Sequence, residues 1–446
     1  MRPRALPAFV LAALLIAAAP ATAAPVLMIS IDGLRPLDVV DARNRGLKLP
    51  NLRALMAAGA YATGVRNTLP TVTYPDHTTL ITGVWPALHG ITANTVFDPL
   101  KQNQDGWYWY ARDLKVATLW DVVHEAGGKT ASVSWPVSVG TPFIDYDIPE
   151  IWRTFYAPED AKLLNALSTP GLVDELSRVA GTSQDGLIGA EIENDQARTD
   201  FTVALLTLKR PRFMTVHLAS VDHNEHKFGP GSPEANAILE KTDVMIGEIV
   251  AAARKAEPDV VIAIVSDHGF APVEHDVHLM SAFVAAGLVT LDPKTQKITA
   301  WEAEPWNSGG SAAVMLARPD DAVLQGTVAA LLGKLAADPT NGIAQVIDRT
   351  AIAAMGGGPE PSFWLDFKLG YETGGHLTGP LVETPGSNKG THGYFPTHPE
   401  MRATFIIAGP GIAKKALGEI DMIDIAPTLA KVLGVSLPQA TGKPLF

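Results

Sequence analysis

The chain has 446 residues, 47% hydrophobic and 18% charged, and 35 Lys+Arg against 47 Asp+Glu leave it at a formal net charge of -12. This composition excludes a disordered or collagen-like chain, and the acidic balance excludes a broad nucleic-acid-binding surface, which needs a basic stripe against the phosphates. With no cysteine present, a disulfide framework, a thiol nucleophile and a cysteine-linked lipid anchor are excluded as well.

At the N-terminus, Arg2 and Arg4 precede the apolar run from Ala8 to Ala17 and the small-residue site Ala21-Thr22-Ala23. That is the layout of a cleavable export signal. Residues 1–23 are therefore expected to be removed, leaving a mature protein in the periplasm of a Gram-negative source or outside the cell. The run falls short of the ~20 residues that span a bilayer, and no later segment is long and apolar enough to do so.

Strand-like and helix-like segments then alternate, the pattern of an α/β fold with a mainly parallel sheet covered by helices on both faces. Buried strands are expected at Val26 to Ile31, Thr130 to Trp135, Phe213 to Leu218, Val260 to Val265 and Thr404 to Ala408. A long helix is expected from Pro233 to Ala256, with Ser232 as N-cap and Ile238, Met245 and Ile249 on one face. The stretches near 140–190 and 274–387 break this rhythm and are expected as insertions that cap one edge of a single catalytic domain spanning 24–446.

Polar residues gather where the strands end, and open α/β sheets bind ligands beyond the carboxyl ends of their strands. Asp32 closes the first strand. Asp222 and His226 follow Phe213 to Leu218, Asp267 and His268 follow Val260 to Val265, and His392 precedes the last core strand. A lone Asp or His at a strand end is more often a cap than a ligand. Three of each, without cysteine, suit two divalent ions with mixed oxygen and nitrogen ligands, zinc first. Thr73 stands where a helix through Thr82 begins, a place that favours an anion. From local sequence alone, the plainer reading of Thr73 as an N-cap is preferred.

Taken together, Ile31-Asp32-Gly33, Thr73-Tyr74-Pro75-Asp76-His77, Thr82-Gly83 with Pro86, His89-Gly90-Ile91, Asp222 with His226, Ser266-Asp267-His268-Gly269 and Thr391-His392-Gly393-Tyr394 run through the mature chain in one order. In these motifs the sequence resembles the nucleotide pyrophosphatase/phosphodiesterase family of the alkaline phosphatase superfamily, the type I phosphodiesterases. The resemblance implies that Thr73 is the nucleophile. It implies one zinc held by Asp222, His226 and His392, and another held by Asp32, Asp267, His268 and the Thr73 oxygen. Asn94, with the backbone N–H of Tyr74, is implied to bind a phosphoryl oxygen. In-line displacement would pass through a phospho-threonine, with two inversions giving net retention at phosphorus.

No Lys or Arg lies beside Thr73 in sequence, which favours a singly charged diester or pyrophosphate over a monoester dianion. Family members that cleave nucleotides stack the base on an aromatic at the position of Tyr74. A second aromatic is usual five residues before the metal Asp, where this chain has His217; imidazole can still stack, so His217 is expected to contact substrate. Nucleotides come first, with phosphocholine diesters or glycerophosphodiesters next and a phosphomonoesterase after them. The run Trp107-Tyr108-Trp109-Tyr110 is expected to pack beneath an insertion. His77 and His89 are expected to be structural, and His223, His275 and His278 not to be ligands. Two other readings share the ligand set: an exported protein that binds metal or phosphate without turnover, for which Thr73 would be dispensable, and a phosphate-transferring mutase.

Overall fold

The computed structural model describes residues 23–103, 106–153 and 159–446; positions 1–22 of the expected export signal lie outside them. In chain order, the main sheet is built from β1 (Val26–Ile31), β2 (Ala60–Tyr61), β3 (Thr130–Val133), β4 (Tyr146–Ile148), β5 (Phe213–Leu218), β6 (Val261–Val265), β7 (Phe405–Ala408) and β8 (Lys415–Ala416). Their spatial order is β8-β2-β7-β6-β1-β5-β3-β4. β1, β3, β4, β5 and β6 are parallel neighbours, while β7 runs antiparallel to both β6 and β2. The mainly parallel α/β expectation holds, with β7 as the reversed strand.

Alternation along the strands explains the two-sided core. Leu27, Ile29 and Ile31 of β1 join Met214, Val216 and Leu218 of β5 and Ile262 and Ile264 of β6 in one apolar cluster. Val26 and Met28 join Phe213, Val261, Ala263 and Val265 on the opposite face. A pleated strand turns successive side chains to opposite faces, so continuous apolar runs are needed when helices cover both. The first face is covered by α2 (Ile192–Lys209) and α4 (Pro233–Ala256), the second by α1 (Thr73–Thr82) and α5 (Ile425–Leu433). Between α2 and α4, the short helix α3 (Ser220–Phe228) follows β5 directly. The Ser232 hydroxyl accepts from the Ala235 N–H at 3.2 Å, capping α4 where the sequence places its start.

β6 and β7 each begin one residue later than expected, and two larger differences concern the far edge of the sheet. β3 stops at Val133 because Ser134 takes a positive φ of 55°, which turns the chain out of the sheet before Trp135. β4, inside the stretch expected as an insertion, is an edge strand of the main sheet; three residues are too few to carry a legible period. The stretch over 274–387 contains a four-stranded antiparallel sheet, Ala303–Asn307, Ser311–Leu316, Phe363–Phe367 and Ile343–Asp348. Phe283, Val314, Leu332, Leu365 and Phe367 pack there in an apolar cluster separate from the main core.

Glu304 sits inside that smaller sheet. It is fully buried, neither carboxyl oxygen has a hydrogen-bond partner, and Lys101 Nζ approaches only to 3.8 Å. Burial pushes its pKa up to about 7. The folded state therefore holds a proton that the unfolded chain has lost, so this contribution to stability is complete below the unfolded pKa and is lost as pH rises through about 7. Urea denaturation at pH 5.5 and 8 is expected to show Glu304→Gln losing about 1 to 3 kcal/mol less stability across that interval than the parent chain. Equal losses in both proteins would mean that Glu304 is ionised in the fold.

Candidate active site

Because β5, β1 and β6 are adjacent and parallel, their carboxyl ends open onto one place. Asp32 leaves β1 there. Asp222 and His226 lie one turn apart on α3, and Asp267 and His268 follow β6. His392 arrives from the other side, on the Gly390–Thr391 segment that pairs with Ala271 and Pro272. Gly33, with φ 73°, turns the chain sharply after Asp32 so that its N–H donates to Asp267 Oδ1 at 3.1 Å.

All six side chains expected as ligands come together. His268 Nε2 lies 3.4 Å from Asp32 Oδ1 and 3.2 Å from Asp267 Oδ2. Asp222 Oδ1 lies 3.6 Å from both His226 Nε2 and His392 Nε2. In each imidazole Nδ1 faces a backbone carbonyl: Gly390 for His226 at 3.0 Å, Gly269 for His268 at 3.2 Å and Thr71 for His392 at 3.0 Å. Nδ1 must then carry the proton, which leaves the Nε2 lone pair aimed into the site, the form that binds a metal. The rings of His268 and His392 stack at 3.6 Å and 9°. Donor atoms of Asp222, His268 and His392 lie within 4.8 Å of one another, as do those of Asp32, Asp267 and His268, so His268 stands between two candidate ligand groups.

Asp32 Oδ1, Asp222 Oδ1, Asp267 Oδ2 and His268 Nε2 are buried and have no hydrogen-bond partner. Such groups are costly to leave bare. Burial, then the Asp267 and Asp222 charges, holds the Asp32 carboxyl well above its ordinary range, and burial pushes Asp222 up to about 7. Burial would also raise Asp267, but the His268 and His77 rings overrule it and hold that carboxyl low. Burial lowers His226 to about 4 and His392 well below its ordinary value, so both are neutral donors. Acidic oxygens forced together beside neutral imidazoles fit divalent cations, which reverse the repulsion.

A second group, His278, His376 and Glu383, fails the same tests. His278 Nδ1 accepts the His376 N–H at 3.2 Å, so its Nε2 bears the proton and donates to Glu383. Its ring stacks on His376 at 4.2 Å. His77 bonds the Thr73 carbonyl and Ser30, His89 bonds Thr79 and Ile91, and His275 bonds Thr384.

Thr73 is the first residue of α1, and Val72 before it gives no side-chain cap, so Thr73 is not the N-cap that local sequence preferred. Thr73, Asn94, Asp32, Asp222 and His392 line one cleft of about 220 Å³. Asn94 Oδ1 accepts the Tyr74 N–H at 2.9 Å, so that N–H, expected to meet a phosphoryl oxygen beside Asn94, is instead given to Asn94 itself, and the Nδ2 donors are left for other acceptors. One expectation about the cleft wall is corrected, and the two side chains expected to contact substrate line the cleft with little exposed surface. His217 is 2% exposed and has both ring nitrogens engaged, by Asp32 at 3.0 Å and Glu150 at 2.7 Å. Tyr74 is 1% exposed and presents little of its ring. Trp107, expected beneath an insertion, instead lines the cleft with Trp152, its ring 5.2 Å from Tyr74 and 6.1 Å from Trp152. Glu150 and Trp152 carried no sequence signal, since both lie beyond a three-residue strand.

Zinc titration of chelator-stripped protein is expected to load two ions per chain and raise Tm, with about 4 kcal/mol of stabilisation per ion at a thousandfold excess over its Kd. His392→Ala and Asp267→Ala are each expected to load about one ion by elemental analysis. Two tightly held ions in both variants would overturn the ligand assignment.

Residues 26–394 match the family described as type I phosphodiesterase / nucleotide pyrophosphatase. A pyrophosphatase/phosphodiesterase of Schizosaccharomyces pombe is 28% identical over 260 residues, 55% of this chain and 45% of that protein. Ectonucleotide pyrophosphatase/phosphodiesterase family member 1 of Homo sapiens is 27% identical over 255 residues, 55% of this chain and 23% of that protein. The chain thus matches under half the length of these curated relatives. The murine ectonucleotide pyrophosphatase/phosphodiesterase 5, solved as an inactive threonine-to-alanine form in complex with AMP, shares the fold at TM-score 0.66 and 19% identity, over 94% of this chain and 97% of that one. With the match running from β1 past His392, the chain belongs to the type I phosphodiesterase / nucleotide pyrophosphatase family.

Proposed function

We propose that this protein is an exported two-metal phosphodiesterase that hydrolyses phosphodiester or pyrophosphate bonds, nucleotides first, through a phospho-threonine at Thr73. The observation that carries this reading is the placement of Thr73, uncapped at the start of a ten-residue helix, on the same cleft as a set of buried carboxylate oxygens that lack partners. Asp222, His226 and His392 would hold one ion, and Asp32, Asp267 and His268 the other, with Thr73 beside it. The nitrogen and oxygen donor set suits zinc. When bound, the ions supply the positive charge that acidifies the attacking hydroxyl and offsets charge on the leaving oxygen.

The chain's own groups do the rest. Thr73 Oγ1 forms the bond to phosphorus as the ester oxygen departs, and water later cleaves that phospho-threonine and restores the hydroxyl. The Nδ2 donors of Asn94 are positioned for a phosphoryl oxygen, where charge builds during both displacements. Among the described cleft-lining residues there is no Lys or Arg to meet a monoester dianion. The half-buried Trp107 and Trp152 offer apolar contact for the second substituent. A relative of this fold bound to AMP supports placing nucleotides first. The export signal over 1–23 and the ectoenzyme names among the relatives support an extracytoplasmic location. A second reading, a diester carrying a quaternary ammonium, is favoured by the same aromatic faces in a cleft without cationic side chains.

The test is turnover of the zinc-loaded protein on p-nitrophenyl thymidine monophosphate, bis-p-nitrophenyl phosphate, glycerophosphocholine and p-nitrophenyl phosphate. Diesters are expected to lead. Thr73→Ala is expected to lower kcat by about a thousandfold or more with metal retained, and Asn94→Ala by about a hundredfold. Monoester preference would overturn the substrate class, and an active Thr73→Ala would overturn the covalent step.

A further inference from the structure

We propose that His217 and Glu150 form a buried positioning pair that holds Asp32 as a one-oxygen metal ligand, and that this pair sets the geometry of the ion beside Thr73. The proposal rests on the reading of Asp32 as a ligand. It begins from a contrast between the two carboxylates that flank His268. Asp267 Oδ1 is tied by backbone, accepting from Gly33 N–H at 3.1 Å and His268 N–H at 2.9 Å, and only Oδ2 faces the site. Asp32 has one oxygen tied as well, but by a side chain. Its Oδ2 meets His217 Nε2 at 3.0 Å, and only Oδ1 is left facing His268.

The His217 ring has one way to sit. Its Nδ1 is bracketed by Glu150 Oε2 at 2.7 Å and the Ser134 carbonyl at 3.2 Å, so acceptors lie at both ends of the imidazole. Turning the ring over would place carbon against a carboxylate. His77 packs against one side of it at 4.4 Å between centroids. His217 and Glu150 are 2% and 7% exposed, so water does not compete for these bonds. The strand registers explain the reach. His217 lies directly across from Ser30, two residues before Asp32, and Glu150 stands two residues past the edge strand β4.

The support extends behind the pair. Ser134, held in its left-handed conformation, accepts from Arg198 Nε at 3.2 Å through its hydroxyl. Arg198 pairs with Asp195 at 2.6 Å, and Asp195 accepts the N–H groups of Ala219 and Ser220, where α3 begins. Because α3 carries Asp222 and His226, one buried network reaches towards both halves of the site. Groups of this kind orient ligands and tune affinity without touching the ion.

The test compares His217→Phe, Glu150→Ala and Glu150→Gln with Asp32→Ala in zinc competition against a chelator and in the visible spectrum of the cobalt-loaded protein. His217→Phe and Glu150→Ala are expected to weaken one of the two zinc sites by about 10- to 100-fold and to shift the cobalt bands. In both variants kcat is expected to fall with KM nearly unchanged. Glu150→Gln keeps an oxygen acceptor for Nδ1–H and is expected to stay within about threefold of the parent. If His217→Phe does not fold, Glu150→Ala against Glu150→Gln decides alone. Unchanged affinity and spectrum in the foldable variants, with one ion lost in Asp32→Ala, would overturn the pair and leave the metal reading standing. Two ions retained in Asp32→Ala would overturn the metal reading itself.

Discussion

Three carboxylates are pressed together at the ends of three adjacent parallel strands, and among the described residues lining the cleft there is no ammonium or guanidinium to offset them. Buried like charges repel, and oxygens without partners lose their hydration for nothing in return. The main sheet creates this crowding because β1 lies between β5 and β6, which places Asp32 between the Asp222 helix and the Asp267 turn. Divalent cations would resolve the conflict, and the remaining features of the site hold the donors ready for them.

Readiness is achieved mostly by backbone. The three imidazoles that face the site are each fixed by a carbonyl at Nδ1, and Asp267 is fixed by two N–H groups. Backbone supports are rigid because they belong to the sheet ends and the tight turns at Gly33 and Gly269. Gly269 shows how close these turns run: an added Cβ would sit 2.1 Å from the Glu400 carbonyl. Asp32 differs in relying on side chains, which makes its orientation sensitive to substitutions at positions well separated in sequence.

Apolar and charged side chains share one cleft. Trp107 and Trp152 line it together with Thr73, Asn94, Asp32 and Asp222. The smaller antiparallel sheet over 303–367 has its own apolar cluster, and His392 follows it in sequence before the chain returns to the main sheet through β7.

The local sequence determined the central parallel strands, the helix from Pro233 to Ala256 with its Ser232 cap, and the donors at the strand ends, because an apolar run with a polar residue at its end is a pattern of near neighbours. The resemblance in motif order pointed to the same six donors, Thr73 and Asn94, which the fold brings to one cleft region. Tertiary structure alone decided which oxygen of each carboxylate is tied, which imidazole nitrogen carries the proton, and why His278 with His376 makes no such site. It also joined His217 to Asp32 and brought Trp107 to the cleft. These outcomes depend on contacts such as His217 with Asp32, 185 residues apart, and His217 with Glu150, 67 apart. A histidine in a strand reads the same in sequence whether its ring meets a ligand or a carboxylate, and only the packed chain chooses between them.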